Sequence, residues 1–189
     1  MGKRTGRRRI GFDPSGNTEH ARLAIEATGA KAERFVNPVG PMKAKKTKGE
    51  LDAMRSAFAR ADRVVHGARA WLCAEVVAGK KVSEADFAAH VRESFFAAGA
   101  TGLSFQIISA AGKNGAIIHY SNPSPKRFVR LGELMLLDTG AYFEDGYATD
   151  LTRTFLVGDE KAEGSKEQRR WYTYVLKAAI AGMRATLPE

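Results

Sequence analysis

Apolar residues recur every three to four positions through Leu51, Met54, Phe58, Ala61, Val65, Ala68 and Leu72, and again through Phe87, Val91 and Phe95. That spacing puts each set on one face of a helix. The first helix opens on Thr47-Lys48-Gly49-Glu50, a capping-box pattern in which Thr47 and Glu50 satisfy each other's free backbone donors, and it ends near Gly79. The second opens at Ser83, with Glu84 and Asp86 in its first turn, and stops at Gly99. The pattern then changes to short strand-like segments at 103–109, 116–120, 133–138 and 149–157. A final helix, 166–187, carries Leu176, Ile180, Met183 and Leu187 on one face. Two helices, an antiparallel sheet and a closing helix make an α+β order.

Ahead of these elements, residues 10–12, 18–28 and 32–36 read as strand, helix and strand, the end of an α/β unit too small to stand alone. The prolines and glycine of Val36-Asn37-Pro38-Val39-Gly40-Pro41 predict a linker. The organisation is therefore a basic tail and α/β remnant over 1–36, followed by a main domain over 37–189.

With 189 residues and 44% apolar content, the chain has material for one full core. No apolar run approaches the roughly 20 residues needed to cross a bilayer, so no membrane partner is expected. The basic start is not followed by an apolar stretch, as a secretory signal requires, and the expected compartment is cytoplasmic. The single cysteine, Cys73, excludes an intramolecular disulfide; in an apolar helical stretch it is expected as a buried structural thiol. The net charge of +9 is local: residues 1–48 carry twelve Lys and Arg against four Asp and Glu, and the remainder eighteen against seventeen. The basic clusters at 3–9 and 43–48 lack interleaved aromatics and belong to no recognition motif, so nucleic acid is not an expected partner.

The chemistry concentrates in 134–159. Leu134, Met135, Leu136 and Leu137 form an unbroken apolar run suited to a strand covered on both faces, and it ends abruptly in Asp138-Thr139-Gly140. After the turn signal Glu144-Asp145-Gly146, the β-branched and aromatic residues of 149–157 predict a returning strand with Asp150 near its start. A hairpin would bring Asp150 back beside Asp138, making a hard anionic site for divalent metal. On the bland alternative, Asp138 caps a turn and Asp150 pairs with Arg153. His119 ends an apolar stretch, Ala116-Ile117-Ile118, beside a turn rich in Asn, Ser and Pro; alone it reads as a surface or hydrogen-bonded structural residue.

Asn114-Gly115-Ala116-Ile117-Ile118-His119-Tyr120, Asp138-Thr139-Gly140 and Asp150-Leu151-Thr152-Arg153-Thr154-Phe155, in this order, resemble the Xaa-Pro aminopeptidases. These belong to the creatinase, prolidase and methionine aminopeptidase superfamily. Residues 42–51 resemble the start of that family's catalytic domain, and the likeness covers about 36–189, more weakly 10–36. It implies the first half of a pita-bread fold behind a remnant of an α/β N-terminal domain. The implied activity is removal of the residue preceding proline from a peptide, with two divalent ions, Mn²⁺, Co²⁺ or Zn²⁺, as cofactors. On this resemblance Asp138 binds one ion, Asp150 bridges both, and the pair activates a water against the scissile carbonyl. His119 is implied as a catalytic residue that hydrogen-bonds substrate without ligating metal. Thr152, Arg153 and Thr154 are implied to brace the ligand strand.

Two departures from the family pattern shape the expectation. Asp138 and Asp150 are twelve positions apart, one more than the usual separation, and the surplus residue fits in the turn at 144–147. The family's other ligands, one His and two Glu, come from the second half of the fold, where this sequence has reached Pro188-Glu189. His20, His66 and His90 do not replace them. The polypeptide alone is thus expected to be a poor peptidase, a truncated form or one half of a split domain, working with a complementary C-terminal half or as a homo-oligomer. Two further readings stand beside it: a prolidase-type dipeptidase with the same ligand set, and a non-catalytic pita-bread binding module.

Overall fold

A computed structural model describes residues 8–144 and 146–186; the basic residues Lys3, Arg4 and Arg7, Asp145 of the predicted turn and Leu187 of the predicted last helix lie outside them. The chain divides into two compact units, Met1–Gly49 and Glu50–Glu189.

The first unit holds the predicted strand-helix-strand. β1 (Arg9–Phe12) and β2 (Lys31–Arg34) pair in parallel, joined by α1 (Glu19–Ala27), whose first turn is capped by the Thr18 hydroxyl accepting from the Ala21 N–H. The predicted linker is in part a short helix, α2 (Val39–Ala44). Pro38 precedes it and Pro41 lies in its first turn, where a missing N–H leaves no intrahelical bond unmade.

The second unit is built on two helices and a sheet. α3 (Lys48–Val77) buries Ala57, Ala61, Val64, Val65, Ala68, Leu72 and Val76. The stripe therefore starts at Ala57: Leu51 is exposed, and Met54 and Phe58 are half-buried, because the first turns of this 30-residue helix reach past the core. α4 (Glu84–Ala97) begins with a reciprocal Ser83–Asp86 capping box and buries Phe87, Val91 and Phe95 as their spacing predicts. Cys73 is half-buried, its Sγ 4.0 Å from the Leu156 carbonyl oxygen, and so lies at the edge of the core.

The predicted strand at 103–109 is two strands, β3 (Gly102–Leu103) and β4 (Ile108–Ala111), serving different partners. Between them the Ser104 hydroxyl donates to the Thr149 carbonyl at 2.8 Å, and the chain changes sheets there. β3 pairs with β6 (Ala141–Tyr142), while β4, β5 (Leu134–Thr139) and β7 (Leu151–Leu156) form an antiparallel sheet in the order β4-β5-β7. In β5 the odd residues Met135, Leu137 and Thr139 are buried and the even residues Leu134, Leu136 and Asp138 half-buried. The odd side packs into a core with α3 and α4, where Phe87 meets Phe155 edge-on at 6.5 Å; the even side is more open than the unbroken apolar run predicts.

The predicted strand at 116–120 does not form. Gly112–Ala116 is a 3₁₀ helix, and the chain runs on through a turn that leaves Ile118 85% exposed. Side-chain bonds from Asn114 and Tyr120 draw this segment onto Glu84, which removes it from any ladder. The last helix, α5 (Lys166–Arg184), is present; none of its described residues is buried, and Leu176, Ile180 and Met183 face outward. Among the described residues no helix is long and apolar enough to cross a membrane.

Candidate metal centre

The β5–β7 register sets the relation of the two aspartates. Asp138 pairs with Thr152 and Thr139 with Leu151, and the same register reaches through Gly140 to the Tyr142–Ala148 bridge, so the ladder has no bulge. Beyond this ladder the chain reverses, and the Gly146 N–H donates to the Phe143 carbonyl at 2.8 Å. Because side chains alternate faces, Asp138, Asp150, Thr152 and Thr154 share the even face, with Asp150 diagonal to Asp138 across the pair. Asp138 is half-buried and Asp150 exposed. Thr152 Oγ1 donates to Asp138 Oδ1 at 2.8 Å, which orients the carboxylate.

The turn that delivers Asp150 is tightly held. Thr149 is fully buried; its N–H donates to the Ala141 carbonyl at 2.9 Å, and its hydroxyl accepts from the Ala141 N–H at 3.0 Å. Gly140 permits this closeness, since a Cβ there would lie 2.7 Å from the Thr149 carbonyl carbon and nearer still to its oxygen and to Ser104 Oγ. No local pattern in the sequence marks Ser104 or Thr149 for this task.

The other predicted residues divide. Thr154 lies on the even face, half-buried, with its carbonyl accepting from the Tyr172 hydroxyl at 3.4 Å. Arg153 lies on the opposite face, its guanidinium 3.3 Å from Asp62 of α3, so the bland pairing with Asp150 is not the arrangement. His119 is exposed in the turn after the 3₁₀ helix. That helix lies over the even face, because a Cβ on Gly115 would meet the Leu136 Cβ at 3.5 Å. The segment that leads to His119 thus starts on the Asp138 side of β5. His90 stacks on Trp71 with ring centres 3.8 Å apart, a packing role; burial, the larger influence, pushes its pKa below the usual imidazole value.

Beneath the His119 turn lies a residue that sequence reading takes only for a first-turn acid. Glu84 is fully buried: Oε1 accepts from the Ala111 N–H at 2.7 Å and Asn114 Nδ2 at 3.0 Å, and Oε2 from the Tyr120 hydroxyl at 2.8 Å and the Ser124 N–H at 3.1 Å. Burial, and after it the bond to Glu84, pushes the Tyr120 phenol above its ordinary range. The one signal available was Asn114 and Tyr120 themselves, polar residues flanking an apolar stretch.

Two carboxylates on one face, one braced by a hydroxyl, are a fitting part-set of hard ligands for a divalent ion. They are not a complete one: among the described residues no three His, Cys, Asp or Glu side chains converge.

The family model described as metallopeptidase family M24 matches residues 52–189. A probable Xaa-Pro aminopeptidase P of Coprinopsis cinerea is 37% identical over 156 residues, 81% of this chain and 24% of that protein. The chain thus spans about a quarter of the length of the curated relatives it matches. Among solved structures, an X-prolyl aminopeptidase from Caenorhabditis elegans, described as a cytosolic enzyme with a dinuclear active site, superposes with a TM-score of 0.75. It is 25% identical, over 90% of this chain and 31% of that one. An Xaa-Pro dipeptidase from Bacillus anthracis superposes with a TM-score of 0.72 at 28% identity, over 93% of this chain and 46% of that one. The α+β architecture is accordingly the first part of the pita-bread fold of these proteins.

Proposed function

We propose, from the premise that this chain belongs to metallopeptidase family M24, that it contributes Asp138 and Asp150 to a dinuclear site of an aminopeptidase removing the residue before proline. The observation that carries this is the register that sets Asp150 on the face of Asp138, with Thr152 bonded to Asp138 Oδ1 at 2.8 Å. Asp138 would hold one ion and Asp150 would bridge two, of Mn²⁺, Co²⁺ or Zn²⁺. When bound, such ions supply Lewis acidity and a water of lowered pKa. The chain's own residues set the stage for that chemistry: Thr152 orients Asp138, the Gly140–Thr149 closure orients Asp150, and His119 offers substrate a hydrogen bond from the turn above β5. Residues 37–189 serve as the first half of the catalytic domain, and one His and two Glu from a complementary half complete the ligand set. A cytoplasmic setting is supported by the likeness to a cytosolic enzyme.

The likeness to the Bacillus anthracis protein supports a second reading, a dipeptidase of the prolidase kind. Mn²⁺ titration by calorimetry, followed by hydrolysis of an Xaa-Pro-Xaa peptide and of an Xaa-Pro dipeptide, tests both. The measurements are made on the chain alone and on the chain mixed with a downstream half. Turnover of the longer peptide in the mixture, lost in Asp150→Ala, is expected; preference for the dipeptide selects the second reading. Absence of Mn²⁺ binding and turnover in every combination refutes both and leaves a non-catalytic binding module.

A further inference from the structure

Glu84 is absorbed by none of the metal chemistry, yet it is the most heavily hydrogen-bonded buried acid among the described residues. Its two oxygens accept four hydrogen bonds, and every donor lies between Ala111 and Ser124. Two of them, Asn114 and Tyr120, are the first and last residues of the 114–120 motif, and Asn114 Nδ2 also bonds the Tyr120 hydroxyl at 3.1 Å, closing a ring of three side chains. The backbone repeats the tie: the Glu84 N–H donates to the Arg127 carbonyl at 3.0 Å, and the Glu84 carbonyl accepts from the Ser109 hydroxyl at 2.8 Å.

Held between these two anchored ends is His119, at φ +54°, the one non-glycine residue with positive φ among those described. Such backbone is sparsely populated and persists where the surroundings over-determine it. Ile117 and Ile118, 53% and 85% exposed beside it, offer little apolar packing to hold the turn down. Besides the Ile117 N–H on the Asn114 carbonyl at 3.0 Å, the restraint comes from the polar ring, and a buried acceptor that loses its donors has no water to replace them.

We propose that Glu84 is a positioning residue for His119, clasping both ends of the 114–120 turn so that the imidazole is presented over the Asp138 face of β5. The inference rests on the reading of His119 as a substrate-binding group, but the clasp itself is a structural claim and is tested separately. Glu84→Gln keeps the shape and replaces one acceptor oxygen by an NH₂ that faces donors. Tyr120→Phe removes a single donor to Oε2 and keeps the ring volume, so it decides the matter if the first variant does not fold.

The chain has four histidines, so selective ring labelling gives four resonances, with His119 assigned by its loss in His119→Gln. In Glu84→Gln or Tyr120→Phe the His119 resonance is expected to move and broaden, and amide exchange over 112–124 to rise at least tenfold, while the His66 and His90 signals stay in place. A folded variant with an unchanged His119 resonance and unchanged exchange overturns the clasp. In the Mn²⁺-loaded protein with its downstream half, Tyr120→Phe should lower kcat for Xaa-Pro-Xaa at nearly constant KM and have no further effect in a His119→Ala background. Effects that simply multiply in the double variant overturn positioning. Failure of the parent protein to turn over refutes the proposed function alone, since the resonance experiment still decides the clasp.

Discussion

Replacing Gly140 by Ala tests how the ligand hairpin is held. The new Cβ would sit 2.7 Å from the Thr149 carbonyl carbon, against an ordinary contact beginning at 3.4 Å, and the carbonyl oxygen is closer still. Thr149 must therefore retreat by on the order of 1 Å, beyond what a hydrogen bond tolerates without serious weakening. Four bonds depend on its present place: Ser104 Oγ to its carbonyl at 2.8 Å, its N–H to the Ala141 carbonyl at 2.9 Å, the Ala141 N–H to its hydroxyl at 3.0 Å, and its hydroxyl to the Ala141 carbonyl at 3.1 Å. At about 1 kcal/mol net for each, with the groups buried, losing two to four costs about 2–4 kcal/mol. For a unit of this size that lowers Tm by on the order of 10 °C. Gly182→Ala is the control. It lies within α5 with nothing inside 4 Å of its Cβ position, and the same chemical change there should be neutral or stabilising by up to about 1 kcal/mol. Urea and thermal unfolding of both variants give the comparison. A Gly140→Ala protein within about 0.5 kcal/mol of the parent would refute the argument, because it would mean the turn can shift freely.

Thr152→Val removes the donor to Asp138 Oδ1 from an exposed position, so stability should change by less than about 1 kcal/mol while Mn²⁺ affinity falls roughly tenfold; equal calorimetric affinities would count against the bracing role. Phe87→Ala, fully buried between Trp71 at 6.4 Å and Phe155, should cost about 3–5 kcal/mol in urea unfolding, and a cost under about 1 kcal/mol would mean the core is misplaced. Asp86 titrates below its ordinary 3.8 because the Ser83 hydroxyl, then the Ser83 N–H, bonds its carboxylate. A depressed folded pKa gives stability that is present above 3.8 and lost as pH falls through the folded value. The stability gap between parent and Asp86→Asn should therefore be widest at neutral pH and narrow below pH 3.8; a gap independent of pH would refute it.

The parts of this fold legible in the sequence are those whose cause is local. Phe87, Val91 and Phe95 are buried because a helical period fixes which side chains share a face, and Asp138 and Asp150 share a face because strand parity does the same for a ladder without a bulge. The turn at 116–120 is not legible because its cause lies 30 and 36 residues away in sequence: Ala116-Ile117-Ile118 has the composition of a strand, but Glu84 holds Asn114 and Tyr120 and bends the chain out of any ladder. The same distance hides Glu84 itself. At the start of a helix an acidic residue is favoured by the dipole alone, so nothing nearby distinguishes a solvated Glu from one that is 0% exposed and fully bonded. Ser104 and Thr149 are concealed likewise, since the hydroxyl and carbonyl that meet there are 45 residues apart. The candidate ligands could thus be named from their own strands. Of the groups around them, Thr152 is named with its own strand, whereas Ser104, Thr149 and Glu84 are not, because each of these works through a partner that only the folded chain supplies.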